Sequence, residues 1–276
     1  MEAYQIAILA VSCTVLALIA LWFFLIAPRP RRKATAPFLR PYAHRGLWDG
    51  QIPENSLAAF REAAEQGFAI ELDVQLSRDG EVMVFHDYTL TRMCGREVEL
   101  SALTAAELTA TPLLGTAECI PTLRQVLAAV GGRVPLLIEL KGESGSTALC
   151  PKLSALLADY PGQWCVESFN PLLLRWWKKH RPDVVRGLLS TDLIKEKRQG
   201  SRVLNLALSA LLLTFLCRPD FHAYDYRYPR RLGLWMSLRL GAAPVVFTVR
   251  DAATYHRYLD ARIPPIFDGF LPDQAK

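Results

Sequence analysis

Two strand-like runs in this chain carry charged residues two positions apart, Glu71 and Asp73 in one, Glu139 and Lys141 in the other. Alternate side chains of a β-strand share a face, so each run sends its charges one way and its Ile, Leu and Val the other. Charge on one face of an apolar strand is costly unless it pairs, binds a metal or lines a wet site. His44-Arg45-Gly46 and His86-Asp87 also follow short apolar runs, so four strand ends converge on polar chemistry, as in a barrel active site. Carboxylate oxygens without cysteine partners suit Mg²⁺ or Ca²⁺ better than zinc. Arg45 and Lys141 supply cations for a phosphate, and two imidazoles exchange protons near neutral pH. Together these groups form a set suited to cleaving a phosphoester.

Holding them together takes regular alternation of strand and helix. Short apolar runs alternate with amphipathic stretches beyond residue 40, which predicts βα units and a parallel sheet rather than hairpins. Strands are expected near Tyr42 to His44, Phe68 to Gln75, Val82 to His86, Pro135 to Lys141, Trp164 to Ser168, Val184 to Leu188, His222 to Tyr226 and Val245 to Val249, with a last one in Pro265 to Phe270. Helices fall between most of them, and Ser56 and Thr122 are placed to cap two. The expected architecture is an α/β (β/α)8 TIM barrel with function at the carboxyl ends of its strands. Tyr88 to Ile120 is long for a barrel connection and holds the capping box Thr104-Ala105-Ala106-Glu107, so it reads as a small insertion after the third strand. Val203 to Cys217 is uncharged over roughly 15 residues, too few for a comfortable membrane span. It is either a buried outer helix or a patch that touches a bilayer.

Gln5 to Ala27 carries no charge. At about 1.5 Å per residue a helix of that length crosses a hydrocarbon core of about 30 Å. A cleaved signal peptide would place basic residues ahead of the apolar run, whereas here Glu2 precedes it and arginines follow. The expected organisation is a transmembrane anchor over residues 1–27, a Pro/Arg-rich juxtamembrane linker over 28–39 and a catalytic barrel over 40–276. Arg29, Arg31, Arg32 and Lys33 follow the helix, so the positive-inside bias puts the barrel in the cytoplasm as a single-pass protein. Those cations also supply much of the net charge of +5, and nucleic acid is not an expected partner. Six cysteines without CxxC spacing argue against a disulfide scaffold or zinc cluster.

In order along the chain, His44-Arg45-Gly46, Pro53-Glu54-Asn55-Ser56, Glu71-Leu72-Asp73-Val74, Ser77-Arg78-Asp79-Gly80 and Val84-Phe85-His86-Asp87 resemble the signature of glycerophosphodiester phosphodiesterases. Ile120-Pro121-Thr122-Leu123, Glu139-Leu140-Lys141, Ser168-Phe169, Phe247-Thr248-Val249-Arg250-Asp251 and Asp268-Gly269 continue it, over about Tyr42 to Asp273. Phe247 stands where that family usually carries Trp, and Arg250 where Asn is common. The resemblance implies one divalent cation, Mg²⁺ or Ca²⁺, held by Glu71, Asp73 and Glu139, with Arg45 and Lys141 on the phosphate oxygens. It implies that His44 and His86 are general base and general acid, His44 accepting and His86 donating, although the reverse fits the sequence equally. The glycerol 2-hydroxyl would attack phosphorus, and water would open the cyclic phosphate to sn-glycerol 3-phosphate. Glu54 and Asn55 read as residues that fix the loop before the first barrel helix, and Asp79-Gly80 as a turn. Asp87 either orients His86 or touches ligand. Two alternatives accompany this reading: lysophospholipase D-type cleavage of a membrane lysolipid, and a tethered barrel that binds ligand without catalysis.

Overall fold

Among the described residues nine strands make one sheet, and pairing of the first strand with both the second and the last closes it into a barrel. The structure, a computed structural model, describes residues 2–142 and 145–272. Asp273, at the end of the expected family span, lies outside them. The strands are β1 (Tyr42–His44), β2 (Ala69–Leu76), β3 (Val82–Val84), β4 (Leu136–Leu140), β5 (Trp164–Ser168), β6 (Arg186–Ser190), β7 (Phe221–Asp225), β8 (Ala243–Val249) and β9 (Pro265–Phe267). All except β3 run parallel around the barrel. The helices are α1 (Ala3–Ile26), α2 (Arg32–Thr35), α3 (Leu57–Glu65), α4 (Thr91–Cys94), α5 (Ala105–Thr109), α6 (Leu123–Val130), α7 (Leu149–Leu156), α8 (Pro171–His180), α9 (Arg202–Ser209), α10 (Thr214–Cys217), α11 (Leu232–Arg239) and α12 (Ala252–Asp260).

The chain departs from pure βα repetition at β3, which pairs antiparallel with β2 through Val74↔Val84 and Leu76↔Val82. A parallel return needs a crossover of about a dozen residues, and Ser77 to Glu81 is too short. That segment is a tight turn instead: Gly80 takes φ +82° and donates to the Ser77 carbonyl at 2.9 Å, while Ser77 Oγ donates to Asp79 at 2.6 Å. The hairpin delivers the chain to His86 and then to the insertion. There Met83, Phe85, Leu90, Met93, Leu100 and Leu108 form a small apolar core of their own.

Alternation along the strands separates two apolar regions. Ile70, Leu72, Val74, Ile138 and Leu140 face outward under the helices. Tyr42, Ala69, Leu137, Cys165, Phe221, Val245 and Ile266 fill the lower interior of the barrel. Gly187 leaves room there for the Phe221 ring, which a Cβ at 187 would overlap. Ser56 caps α3 by accepting from the Ala59 amide at 3.1 Å, and Thr122 with Gln125 forms a capping box on α6.

The Val203 to Cys217 stretch becomes α9 and α10 joined by a turn, and it is buried on one side only. Asn205, Ser209, Leu211, Thr214 and Cys217 face inward, whereas Val203, Leu204 and Leu206 are exposed. At the other end of the chain, α1 is long and apolar enough to cross a membrane. Its carboxyl end meets the barrel: Ile26 is buried, Trp22 packs on the same core, the Phe24 ring lies 5.8 Å from Phe215, and Arg218 donates to the Phe24 and Ala27 carbonyls at 2.9 and 2.8 Å.

The proline-rich segment that follows is laid against the barrel rather than held away from it. Arg31 forks onto Asp220 with two hydrogen bonds of 2.6 Å and donates to the carbonyls of Pro182, Asp183 and Val184. These groups precede β6 and β7, at the amino ends of the strands. Asp220 is buried, so Arg31→Ala leaves its carboxylate with the Arg186 amide at 3.0 Å but without its forked cation. Denaturant unfolding in detergent should show a loss of about 3 kcal/mol.

His222 on β7 is wholly buried, its Nε2 2.9 Å from Ser237 Oγ on α11, and burial holds its pKa down to about 4. The folded chain therefore refuses a proton that the unfolded chain accepts below about pH 6.5. Stability should fall as pH drops from about 6.5 to 4, by up to about 3 kcal/mol. His222→Gln should flatten that part of the stability curve, measured by urea unfolding across the range.

Candidate active site

Strand alternation turns Glu71 and Asp73 of β2 and Glu139 of β4 into the barrel. Parallel register sets Asp73 directly beside Glu139. One carboxylate oxygen from each of the three lies within 4.8 Å of the others, and all three residues are buried. Lys141, next on the same face of β4 just past its end, reaches back to Glu139 at 2.7 Å and Asp73 at 3.0 Å. His44 closes β1 in register with Glu71, its Nε2 4.0 Å from a Glu71 oxygen. Arg45 follows at φ +60°, donates its amide to Glu71 at 3.1 Å, and sets its guanidinium 3.3 Å from Asp73 and 2.7 Å from Glu54. The turn needs Gly46, at φ +85°, because the Ala59 backbone of α3 occupies the place of a side chain.

Both imidazoles are oriented by a carboxylate on Nδ1. Asp268, just after β9, lies 2.7 Å from His44 Nδ1, and Asp87 lies 2.6 Å from His86 Nδ1. A proton on Nδ1 in each leaves Nε2 as the exchanging nitrogen. Gln75 of β2 steadies the His86 segment by donating to the carbonyls of Phe85, His86 and Asp87 at 2.8, 3.2 and 2.8 Å. Burial lowers the pKa of both histidines, helped at His44 by Arg45 and opposed at His86 by Asp73. Both rings are therefore predominantly neutral at pH 7.

The carboxylates divide by their neighbours. Burial, with Asp73 and Glu139 close by, pushes Glu71 well above the usual carboxylate range. Burial raises Glu139 to about 7 against the pull of Lys141. Burial works the same way on Asp73, yet Lys141 and Arg45 outweigh it and hold the group well below its ordinary value. Buried oxygen donors that repel one another in this way form a site suited to a hard divalent cation.

All seven expected site residues, His44, Arg45, Glu71, Asp73, His86, Glu139 and Lys141, belong to this one network. Several partners carried no clear signal in the sequence. Asp268 stood in the family signature, but nothing in the sequence gave it a role. Glu54 and Asn55, expected to serve the loop, also reach the site: Glu54 bonds Arg45, and Asn55, at φ +54°, donates to Asp73 at 2.9 Å. Asp87 is the carboxylate that meets His86 Nδ1. Arg92 of α4 ties the insertion in, bonding Glu54 at 2.6 and 3.0 Å and Asp87 at 2.7 and 3.2 Å. Arg250 donates to Asp268 at 2.8 Å, a use for cation chemistry where the family commonly has Asn. Glu167, paired with Glu139 in the register of β4 and β5, is a fourth buried carboxylate that burial raises well above its ordinary range.

Fold and site define the class: a (β/α)8-barrel enzyme whose polar end is arranged for phosphoester hydrolysis. Residues 44–268 match the glycerophosphoryl diester phosphodiesterase family, and the chain belongs to it. It is 37% identical over 160 residues to a glycerophosphodiester phosphodiesterase of Caldanaerobacter subterraneus, covering 53% of this chain and 65% of that protein. A glycerophosphodiester phosphodiesterase of Bacillus subtilis is 26% identical over 255 residues, covering 84% of this chain and 83% of the relative. Among solved structures, a phosphodiesterase of Oleispira antarctica in complex with the product sn-glycerol-3-phosphate shares the fold at a TM-score of 0.68. It is 23% identical, and the match covers 83% of this chain and 92% of that one.

If the three carboxylates are poised for a cation, removing one charge should help the metal-free protein and harm the loaded one. Glu71→Gln should raise the melting temperature in EDTA by a few degrees and abolish the further rise that millimolar Ca²⁺ or Mg²⁺ produces. Thermal unfolding with and without each cation reads both effects.

Proposed function

We propose that the chain hydrolyses glycerophosphodiesters to an alcohol and sn-glycerol 3-phosphate, with His44 and His86 exchanging the protons. The observation that carries this reading is the pair of imidazoles, each held by its own carboxylate, beside one buried carboxylate cluster. Glu71, Asp73 and Glu139 would hold one divalent cation, Mg²⁺ or Ca²⁺. When bound, such a cation would act as a Lewis acid on phosphate oxygens and ease loss of a hydroxyl proton.

The chain's own groups do the remaining work. His44, neutral at pH 7, takes the proton of the glycerol 2-hydroxyl through Nε2 as that oxygen attacks phosphorus; Asp268 steadies the imidazolium that forms. His86 gives a proton to the departing alcohol oxygen as its bond to phosphorus breaks. Its side chain is 34% exposed against 13% for His44, which suits the group that must be recharged from solvent. Water then opens the cyclic phosphate with the two roles reversed. Arg45 and Lys141, now shared among Glu54, Asp73 and Glu139, lie where they can turn toward phosphate oxygens as negative charge grows there.

We also read α1 as a membrane-spanning anchor with the barrel on the cytoplasmic side, supported by its length and by the cations that follow it. A carboxyl-terminal tag should stay hidden from an impermeant label on intact cells. The exposed apolar residues of α9 favour a second substrate reading, a lysophospholipid, which a comparison of glycerophosphocholine with its lysolipid counterpart separates from the first.

His44→Ala and His86→Ala should each lower turnover of glycerophosphocholine by at least about 10³-fold with far-ultraviolet circular dichroism unchanged. EDTA should abolish turnover and added Mg²⁺ or Ca²⁺ restore it. Full activity in either variant removes the proposed roles.

A further inference from the structure

We infer that the outer face of α9 and α11 is a second membrane contact, on which the barrel lies on its side against an anionic bilayer. This rests on the reading of α1 as a spanning helix. Val203, Leu204 and Leu206 on α9 and Leu232 and Trp235 on α11 are all exposed, Val203 at 79% and Leu232 at 67%. The helices are neighbours: Gly233 of α11 sits so close to the Ala210 carbonyl after α9 that a Cβ would not fit. That contact puts the exposed apolar residues of both helices on one sector of the barrel surface, and apolar exposure concentrated in this way on a water-facing surface marks an interaction site.

Two further observations name the occupant. The first is continuity with the anchor. The last turn of α1 packs on this sector, through Phe24 against Phe215 and through Arg218, which donates to the carbonyls of Phe24 and Ala27. A bilayer that holds α1 thus meets the barrel at α10 and α11, and α11 is the helix that carries Leu232 and Trp235. The second is charge. From Lys197 to Arg250 the only carboxylates are Asp220 and Asp225, both buried, while Arg202, Arg230 and Arg239 are exposed. Arg239 lies over the Trp235 ring at 5.3 Å, an aromatic and a cation paired as at a lipid headgroup boundary. An apolar stripe bordered by Arg202, Arg230 and Arg239, with the nearby exposed Glu196 already engaged by Arg227 and Tyr228, is complementary to anionic lipid.

The placement has a functional side. The first turns of α9 and α11, where most of the exposed apolar residues lie, follow the carboxyl ends of β6 and β7, the end of the barrel that holds the carboxylate cluster. Docking on this face would set the mouth of the site beside the lipid plane.

Full-length protein in nanodiscs of phosphatidylcholine and phosphatidylglycerol, with part of the lipid brominated on its acyl chains near the headgroup, tests this. The emission difference between wild type and Trp235→Phe isolates Trp235, and Trp22→Phe isolates Trp22 of α1 in the same way. At least a twofold loss of the Trp235 difference emission on bromination is expected, alongside quenching of Trp22. Quenched Trp22 with unquenched Trp235 overturns the docked face and leaves the anchor standing. Quenching of neither removes both. Unquenched Trp235 with two protomers per disc overturns lipid in favour of a second copy of the chain.

Discussion

Three carboxylates sealed inside one barrel are the constraint around which this molecule is built. Glu71, Asp73 and Glu139 would repel one another at this spacing and lack the water that normally disperses such charge. Two buried cations make the arrangement tolerable. Lys141 bridges Asp73 and Glu139, and Arg45 leans on Asp73 from the end of β1, on the other flank of β2, with Asn55 donating to the same carboxylate. The compensation is uneven: Asp73 keeps its charge, while Glu71 and Glu139 are pushed toward the neutral form. An unevenly neutralised cluster is a ready receptor for positive charge. The layers beneath it follow from the same need, since large side chains such as Tyr42 and Phe221 plug the lower barrel and keep the acids at its upper end.

The part of the site that strand periodicity governs was legible in the sequence. A two-residue repeat of charge in an apolar run admits one orientation when the other face must meet helices, and Glu71, Asp73, Glu139 and Lys141 follow it. The histidines were legible because they end such runs. What local pattern did not show was which groups pair across the site to steer them. Asp268 is 224 residues from His44, and Arg92 is 38 residues from Glu54. Pairs this distant carry no local pattern, and only closure of the barrel and folding of the insertion bring them together. Among the elements, the antiparallel hairpin of β2 and β3 departs from the general expectation of parallel βα units, and its cause was present in the sequence: the Ser77-to-Glu81 turn cannot hold a crossover.

The insertion is more than an ornament of the loop. Through Arg92 it connects Glu54, which holds Arg45, to Asp87, which holds His86. The small apolar core behind Arg92 makes that connection rigid, so the geometry of the proposed proton donor and of one cation is set by the same piece of chain. On the opposite side, Arg250 and Asp268 perform the equivalent service for His44.

The clamp of Arg31 on Asp220 bears on how the enzyme would move. A chain tied to a bilayer by a loose leash explores a hemisphere, and its encounters with a substrate are governed by the length of that leash. Here the stretch after α1 has no slack to give, because Arg29 and Arg31 fasten it to the floor of the barrel within a few residues of the helix. With α1 in a bilayer, as proposed, the catalytic body would travel with it as one piece, at a fixed height and a fixed tilt, and lateral diffusion rather than swinging would decide what it meets.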